Sequence, residues 1–431
     1  MPWRLDTADA DFEAKLNQVL NLKRETDEDL GAVVASILAD VRQRGDAALF
    51  DYTARFDRLE LGPETIRFGP EEFLQAREAC SSEALAALNQ AAGRIRSYHE
   101  KQLPEDLDYE DQEGVKLGYR WTPIEAAGLY VPGGTAAYPS SVLMNALPAR
   151  VAGVSRVAMV VPTPDGVINP LVLAAASTAG VGEIYRVGGA QAVGALAYGT
   201  ESIAPVDKIV GPGNAYVAAA KRQVFGTVGI DMIAGPSEIL VVADNQNDPA
   251  WIAADLLSQA EHDAASQSIL ITDDPAFADA VEHAVEVHLQ RLKRTEIARA
   301  SWNANGTVIT VARLSDATAI VDRFAPEHLE LAVENPDAMA ADIRHAGAIF
   351  LGRYTPEAIG DYIAGPNHVL PTARSARFSS GLSVLDFMKR TSIVSCDEAS
   401  FRRLAPAAET LAHLEGLDAH ALSMEIRHRE D

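Results

Sequence analysis

The chain has 431 residues, of which 48% are hydrophobic and 23% are charged. These values are typical of globular domains, and the length suffices for roughly two to four of them, so a largely disordered chain is excluded. The formal net charge is −24. We therefore expect no nucleic-acid partner, because an acidic surface repels a phosphate backbone.

Cysteine content and the N-terminal sequence bear on the cellular compartment. Cys80 and Cys396 are the only cysteines, and no CxxC pair occurs, so we expect neither a thiolate zinc site nor a redox pair. The N-terminal sequence MPWRLDTADADFEAKL is acidic and lacks the apolar core that a signal peptide would have. No apolar run approaches the roughly 18 residues that span a bilayer. We expect a cytoplasmic protein without a membrane partner.

The N-terminal part of the chain has a helical pattern up to about residue 103. Apolar residues recur at helical spacing at Leu30, Val33, Ile37 and Val41. Gly45 is a suitable C-terminal stop for this helix, and Asp46 is the expected N-cap of the next.

From about residue 120, short runs of β-branched residues alternate with helical stretches. Strands are expected within 156–164, 183–189, 206–214, 237–245, 268–274, 306–312 and 346–352. Such alternation indicates parallel sheets with helices on both faces. We predict an α/β fold with two Rossmann-like but incomplete parallel-sheet lobes, one over 130–236 and one over 237–380. Small helical elements would flank them, including a tail with few strand signals.

Glycines follow three of the expected strands, in GLYVPGG (128–134), VGGAQA (187–192) and VGPGNA (210–215). In open α/β sheets ligands bind at the carboxyl ends of strands, and the following helix N-termini favour anions. No segment matches GxGxxG, so the pattern favours a phosphate-bearing ligand without specifying NAD. Gln191 and Asn214 could contact such a ligand, or could be helix caps. GLYVPGG could also be an ordinary turn.

Two segments carry candidate ligands and acid/base groups. In LLSQAEHD (256–263), Gln259 and His262 would share one helical face, although this spacing is common by chance. In FAPEHLEL (324–331), Pro326 is expected to begin a helix with Glu327 and His328 in its first turn. There the helix dipole favours a carboxylate and a neutral imidazole, which a general base requires. Alternatively, Glu327 is simply a favourable first-turn residue.

The remaining candidates lie in GDYIAGPNHVLPT (360–372) and LEGLDAHAL (414–422). Asp361 and His368 are expected in a glycine- and proline-containing loop, whereas Glu415 and His420 in isolation suggest surface residues. The other histidines lie in charged helical runs and are expected at the surface: His99, His283, His288, His345, His413 and His428. Imidazole and oxygen ligands without sulfur suit zinc, manganese or cobalt. The residues thus indicate an α/β enzyme with a possible metal and cofactor, without fixing the reaction.

Taken in order, the motifs closely resemble the histidinol dehydrogenase family over essentially the whole chain. They are RQRGDAAL, GLYVPGG, VGGAQA, KIVGPGN, IDMIAGPSE, DLLSQAEHD, PEHLEL, GDYIAGPNHVLPT and GLDAHA. Each is modestly specific alone, and their order is highly specific. The resemblance implies that the chain is the last enzyme of histidine biosynthesis. Such an enzyme oxidises L-histidinol to L-histidine through bound histidinaldehyde, with two NAD and one zinc ion per subunit, as a homodimer.

The resemblance also implies roles for individual residues. The zinc ligands would be Gln259, His262, Asp361 and His420. The substrate contacts would be Ser237, Gln259, His262, His328, Asp361, His368, Glu415 and His420. The NAD contacts would be Tyr130, Gln191 and Asn214. Glu327 and His328 would be the acid/base pair.

We expect the following division of the chain: a helical arm over 1–21, a discontinuous first lobe over 22–129 and 237–380, an NAD-binding second lobe over 130–236, and a tail over 381–431. The resemblance implies that this tail crosses to the partner subunit, where Glu415 and His420 would complete the site.

Three other functions remain open. A relative in the same family could oxidise another small diol or amino alcohol. A zinc hydrolase would show no NAD dependence. A two-lobed binding protein would be expected to have a signal peptide and fewer acid/base groups.

Overall fold

The computed structural model describes residues 2–22, 28–133, 138–233 and 235–428, so Gly134 of the GLYVPGG motif lies outside the described residues. The described strands are β1 (Trp3–Asp6), β2 (Leu107–Glu110), β3 (Lys116–Pro123), β4 (Ala126–Tyr130), β5 (Arg156–Val160), β6 (Glu183–Tyr185), β7 (Lys208–Val210), β8 (Gly229–Ile230), β9 (Glu238–Ala243), β10 (Gln267–Thr272), β11 (Thr307–Thr310), β12 (His328–Ala332), β13 (Ala348–Leu351) and β14 (Met388–Ser395). The described α-helices are α1 (Phe12–Asn21), α2 (Glu28–Arg44), α3 (Asp46–Asp57), α4 (Pro70–Ala79), α5 (Ser82–Glu100), α6 (Pro139–Ala152), α7 (Pro170–Thr178), α8 (Gly189–Tyr198), α9 (Ala215–Val224), α10 (Pro249–Ala260), α11 (Pro275–Leu289), α12 (Thr295–Asn305), α13 (Ala317–Phe324), α14 (Pro336–Asp342), α15 (Glu357–Tyr362), α16 (Glu398–Leu414) and α17 (Asp418–His428).

A six-stranded sheet with the order β1-β11-β10-β9-β12-β13 forms the first lobe. All of its strand pairs are parallel. Successive residues of β9 face opposite sides: Ile239 packs with the layer of α10, α11 and α12, and Leu240 packs with the layer of α1 and α13. Both faces are therefore buried, which explains the nearly continuous apolar sequence of the strand.

A five-stranded parallel sheet with the order β6-β5-β4-β7-β8 forms the second lobe. Residues of α2, α3, α8 and α9 cover one face, and residues of α5, α6 and α7 cover the other. Gly194 of α8 lies where a Cβ atom would come within 3.2 Å of Leu38 of α2. This close approach helps to hold α2 against the second lobe.

An antiparallel sheet with the order β14-β3-β2 and a helical hairpin of α16 and α17 complete the described structure. Most residues of β14 are exposed, and Leu411, Leu414 and Ile426 of the hairpin expose large apolar side chains. No helix in the described ranges is long and apolar enough to cross a membrane.

The predicted α/β class with two parallel sheets is confirmed, but the packing differs from the predicted division of the chain. The arm over 1–21 contributes β1, an edge strand of the six-stranded sheet. The helices within 22–129 pack on the five-stranded sheet instead of the first lobe. The tail contributes β14. Short edge strands have weak local signals, and tertiary contacts alone decide which sheet an apolar helix covers.

One expected surface residue, His99, is fully buried. Its Nδ1 atom lies 2.7 Å from the carbonyl oxygen of Ile95, and its Nε2 atom lies 3.4 Å from Nδ2 of Asn367. Asn367 also donates a hydrogen bond to the carbonyl of Met144. Burial lowers the pKa of His99, because the charged imidazolium is poorly solvated there.

This burial predicts an acid-sensitive contribution to stability. The unfolded chain takes up a proton on His99 near pH 6.5, whereas the folded chain resists it. The contribution is therefore present above pH 6.5 and is lost as the pH falls towards the lowered pKa, by up to about 1.4 kcal/mol per pH unit. We expect His99→Gln to flatten the fall in the free energy of unfolding below pH 6.5, as measured by urea denaturation. The control is His283→Gln at an exposed position; identical pH profiles for wild type and His99→Gln would contradict the prediction.

Candidate active site

The acid/base pair Glu327–His328 lies at the start of a strand. The predicted helix beginning at Pro326 is wrong: α13 ends at Phe324, Ala325 adopts a left-handed conformation with φ 44°, and β12 begins at His328. The register pairs His328 with Ile239 of β9 and with Ala348 of β13. Hydrogen bonding on both sides of β12 outweighs the local preference of proline for a helix start.

His328 is buried among three carboxylates. Its Nδ1 atom lies 3.0 Å from the carbonyl oxygen of Glu238 and 3.7 Å from Oε2 of Glu327. Its Nε2 atom lies 3.7 Å from a carboxylate oxygen of Glu357 and 3.7 Å from one of Asp361. The side chain of Glu327 is itself fixed, because its Oε2 accepts a 2.9 Å hydrogen bond from the backbone N–H of Glu238.

Burial and mutual charge shift the pKa values in this cluster. Burial raises the pKa of Glu327 to about 8 and that of Glu357 to about 7. For His328, burial acts to lower the pKa, but Glu327, Glu357 and Asp361 outweigh it and raise the pKa well above its usual value. The surrounding groups thus favour an imidazolium, whereas the sequence predicted a neutral imidazole held by a helix N-terminus.

Asp361 joins this cluster to His368. Burial acts to raise the pKa of Asp361, but hydrogen bonding with His328 and the charges of nearby histidines hold it at about 2. Asp361 lies on α15, not in a loop as expected, one helical turn after Glu357. The Nδ1 atom of His368 lies 3.0 Å from the carbonyl oxygen of Asp361, and its Nε2 atom lies 3.2 Å from the hydroxyl of Ser141 on α6.

Two further predicted residues lie at the end of α10. Gln259 is on the helix and only 1% exposed, and its Oε1 has no hydrogen-bond partner among the described residues. His262 follows in the turn, and burial lowers its pKa against the opposing charge of Asp361. Ser258 of the same helix donates a 3.0 Å hydrogen bond to Glu357. The structure therefore brings the end of α10 to the cluster of His328, Glu357 and Asp361.

Ser237, Glu415 and His420 differ in their relation to this cluster. Ser237 directly precedes β9, next to the strand that begins with His328, and is half-buried. Glu415 and His420 lie on the exposed helical hairpin, and within the described part of the chain no hydrogen bond or ion pair joins either side chain to the cluster.

The predicted cofactor residues lie in the other lobe, at the carboxyl ends of its strands. Tyr130 ends β4, and its hydroxyl accepts a 3.0 Å hydrogen bond from the N–H of Gly189 at the start of α8. Gln191 is buried within α8, and its Oε1 has no partner among the described residues. Asn214 is the N-cap of α9 and accepts a 3.1 Å hydrogen bond from Val217. The capping interpretation is therefore correct for Asn214 but not for Gln191.

The glycines at this edge allow close backbone packing. A Cβ atom on Gly133 would lie 2.4 Å from the carbonyl oxygen of Pro162, and one on Gly188 would lie 2.4 Å from the Cβ of the same proline. The loops that follow β4, β5 and β6 are thus packed closely together, in a position where a ligand could contact their backbone.

The two groups of residues lie at opposite kinds of sheet edge. The acid/base cluster lies at the amino ends of β9 and β12, whereas the cofactor residues lie at the carboxyl ends of β4, β6 and β7. The contact of Ser141 with His368 connects the two lobes at this point. The predicted cofactor residues therefore lie at a carboxyl edge, and the acid/base cluster lies at an amino edge.

Two features of the site were missed by sequence reasoning. Glu357 stands four residues before Asp361, a spacing that could have indicated one shared helical face. A buried ion pair also supports the VGPGNA loop: Lys221 bonds to Asp231 and donates a 3.0 Å hydrogen bond to the carbonyl of Gly211. Asp231 in turn accepts a 2.7 Å hydrogen bond from the N–H of Gly211. Neither residue has a recognisable local signal.

The fold and site define an α/β enzyme with two parallel-sheet lobes and a buried imidazole–carboxylate cluster at the amino edge of the six-stranded sheet. A family model described as histidinol dehydrogenase matches residues 20–428. The histidinol dehydrogenase of Rhodospirillum rubrum is 67% identical over 428 residues, and that of Ruegeria pomeroyi is 62% identical over 427, each covering 99% of both chains. The crystal structure of histidinol dehydrogenase from Elizabethkingia anophelis matches with a TM-score of 0.93 at 37% identity, covering 99% of this chain and 98% of that chain. The chain belongs to the histidinol dehydrogenase family, and it is an oxidoreductase.

The buried ion pair of Lys221 and Asp231, which supports the VGPGNA loop, is expected to contribute strongly to the free energy of unfolding. Lys221→Met leaves the buried carboxylate of Asp231 without its cation, so we expect a loss of about 3–5 kcal/mol in the free energy of unfolding. Adding Asp231→Asn should recover part of this loss, because the uncompensated charge is removed. The matched control is Arg299→Met at an exposed ion pair with Glu286, which should cost at most about 1 kcal/mol. Equal losses for Lys221→Met and Arg299→Met in urea denaturation would contradict the prediction.

Proposed function

We propose that the chain oxidises L-histidinol to L-histidine in two steps with two NAD, using one zinc ion per subunit. The observation that carries this proposal is the placement of His328. It is buried among Glu327, Glu357 and Asp361, on the side of its lobe that faces the cofactor loops through Ser141 and His368.

The donor atoms near Asp361 fit a zinc ion. Asp361 belongs to a buried group whose possible ligand atoms, from His328, Glu357 and Asp361, lie within 4.8 Å of one another, and its charge also acts on the imidazole of His262. Buried atoms without a partner among the described residues include Oε1 of Gln259 and Oε1 of Glu357. We assign Gln259, His262 and Asp361 as the ligands of this chain, and His420 as the ligand of the partner subunit. Nitrogen and oxygen donors of this kind suit zinc, which would hold the substrate nitrogens and stabilise negative charge developing on the alcohol oxygen.

The loops of the five-stranded sheet fit NAD. Gln191 offers an unpartnered buried oxygen, and Tyr130 and Asn214 lie at the ends of neighbouring strands. The N-termini of α8 and α9 face the same edge, where backbone N–H groups can bind a pyrophosphate. The acidic net charge of −24 is compatible with this mode of binding, and we expect no nucleic-acid partner and a cytoplasmic location.

The residues of this chain can then perform the proton transfers. His328 in its neutral form accepts the hydroxyl proton as hydride leaves the alcohol carbon for NAD, which yields the aldehyde and an imidazolium. That positive charge, 3.7 Å from Glu327, favours the anionic carboxylate. Glu327 then takes a proton from water as the water attacks the aldehyde carbon. The imidazolium returns its proton to the aldehyde oxygen in the same step, which gives the hydrate and neutral His328. A second hydride then leaves the hydrate for a second NAD as one hydroxyl proton passes to His328, and the acid that forms loses its remaining proton to give the carboxylate.

The exposed hairpin supports a shared site in a homodimer. Glu415 and His420 are solvent-exposed, as are large apolar side chains of the same hairpin. Exposed apolar surface of this kind is typical of an interface. We therefore assign Glu415 and His420 to the site of the partner subunit. In this arrangement Ser237, His262, His328 and His368 contact the substrate from one chain, and the hairpin of the other chain closes it.

The reaction predicts the stoichiometry of NADH formation. We expect two NADH per limiting L-histidinol, loss of activity after chelator treatment, and recovery on addition of zinc. One NADH would show that oxidation stops at the aldehyde and would contradict the role of Glu327. If the metal-replete protein formed no NADH from histidinol but did so from another small diol, the substrate assignment would be wrong.

A shared site predicts complementation between two inactive variants. His328→Asn and His420→Asn each place a lesion in every site of a homodimer. In a mixed dimer one site carries both lesions and the other carries neither. Co-expression in equal amounts should therefore restore about one quarter of wild-type turnover, because half of the dimers are mixed. If the turnover of the mixtures stayed at that of the single variants, His420 would act within its own chain. Co-expression of two His328→Asn copies is the control.

A further inference from the structure

Asp57 is a buried carboxylate that the proposed reaction does not use. It is the last residue of α3 and is 9% exposed, and its Oδ2 has no hydrogen-bond partner among the described residues. The C-terminus of a helix has a negative partial charge, so this position is doubly unfavourable for an anion. A buried polar atom without a partner is uncommon and requires a physical explanation.

The neighbouring cation does not supply that explanation. Arg58 adopts a left-handed conformation with φ 54° and forms a bidentate ion pair with Asp165, which is in the turn after β5. The guanidinium is therefore engaged with another carboxylate. Burial raises the pKa of Asp57 although Arg58 acts to lower it.

Asp57 lies at the end of α3, which contacts a loop at the carboxyl edge of the five-stranded sheet. The pair Arg58–Asp165 fixes the end of α3 to the loop after β5, next to Pro162, which packs against Gly133 and Gly188. Burial raises the pKa of Tyr130 to about 12, and the negative charge of Asp57 contributes to the same direction. Residues of α3 and Tyr130 pack in the same core cluster, and the hydroxyl of Tyr130 accepts the hydrogen bond from the N–H of Gly189.

We propose that Asp57 binds the ribose hydroxyls of the adenosine half of the dinucleotide and selects NAD over NADP. This inference rests on the proposed use of NAD. The vicinal diol of the ribose in NAD offers two O–H groups, and a carboxylate that has no hydrogen-bond donor within the protein can accept hydrogen bonds from both. The 2′-phosphate of NADP would instead place a second anion beside a buried charge. In doubly wound folds an acidic residue near the first strand–helix turns performs this task. Here the residue comes from a helix outside the sheet, in a chain that lacks GxGxxG.

Binding measured by calorimetry on the zinc-loaded protein tests the proposal without turnover. The ligands are NAD, NADP and 2′-deoxyadenosine NAD. The variant is Asp57→Asn, which keeps the shape and removes the charge, and the matched control is Asp51→Asn on the exposed side of the same helix. Wild type should bind NAD at least about tenfold more tightly than either analogue, since a hydrogen bond to a charged group is worth about that factor or more.

Asp57→Asn should bind NAD about tenfold more weakly and lose most of the discrimination between the three ligands, and Asp51→Asn should match wild type. The urea unfolding midpoint of Asp57→Asn should stay the same as that of wild type or rise, because this substitution removes an unpartnered charge. Unchanged ligand ratios in Asp57→Asn, with NAD bound normally by wild type, would overturn the role of Asp57 and leave the proposed function intact. Failure of wild type to bind NAD would overturn both.

Discussion

The buried imidazole of His328 is the constraint on which the rest of the site depends. A charge in a dry interior must be balanced by groups held at fixed distances. In this chain the balance comes from three carboxylates on two separate segments: Glu327 beside the strand, and Glu357 and Asp361 on α15. Glu238 fixes the imidazole and Glu327 through its backbone, and Ser258 fixes Glu357. A metal cation beside Asp361 would draw carboxylate charge away from His328 and so favour the neutral imidazole that proton abstraction requires.

This constraint explains why the two lobes contribute through opposite edges. Helix N-termini and glycine loops at the carboxyl edge of the five-stranded sheet suit an anionic ligand. The amino edge of the six-stranded sheet offers instead the C-terminal end of α10 and the start of a central strand, which suit a cation and a proton acceptor. The bridge from His368 to Ser141 brings the two edges together. The polarity of the elements at each edge thus suits a different kind of ligand.

Local sequence patterns predicted the parts of this arrangement that local physics controls. Alternating apolar strands and helices predicted the two-sheet class, and α2 ends at Arg44, directly before the expected stop at Gly45. The helix predicted at Pro326 is wrong because pairing with β9 and β13 decides the conformation of His328. His99 was placed at the surface because its neighbours are charged, and its burial depends on Asn367, 268 residues away. The sheet that α2 covers is likewise decided by tertiary contacts, which a local pattern does not contain.

The strand β1 has a consequence for how the chain is made. It is synthesised roughly 300 residues before its partner β11. At a synthesis rate of about 5–20 residues per second, this interval lasts ~15–60 s. The five-stranded sheet, whose strands all lie within 126–230, can close meanwhile. The N-terminal segment must remain unpaired and soluble during synthesis, a requirement met by its short strand and its flanking acidic residues.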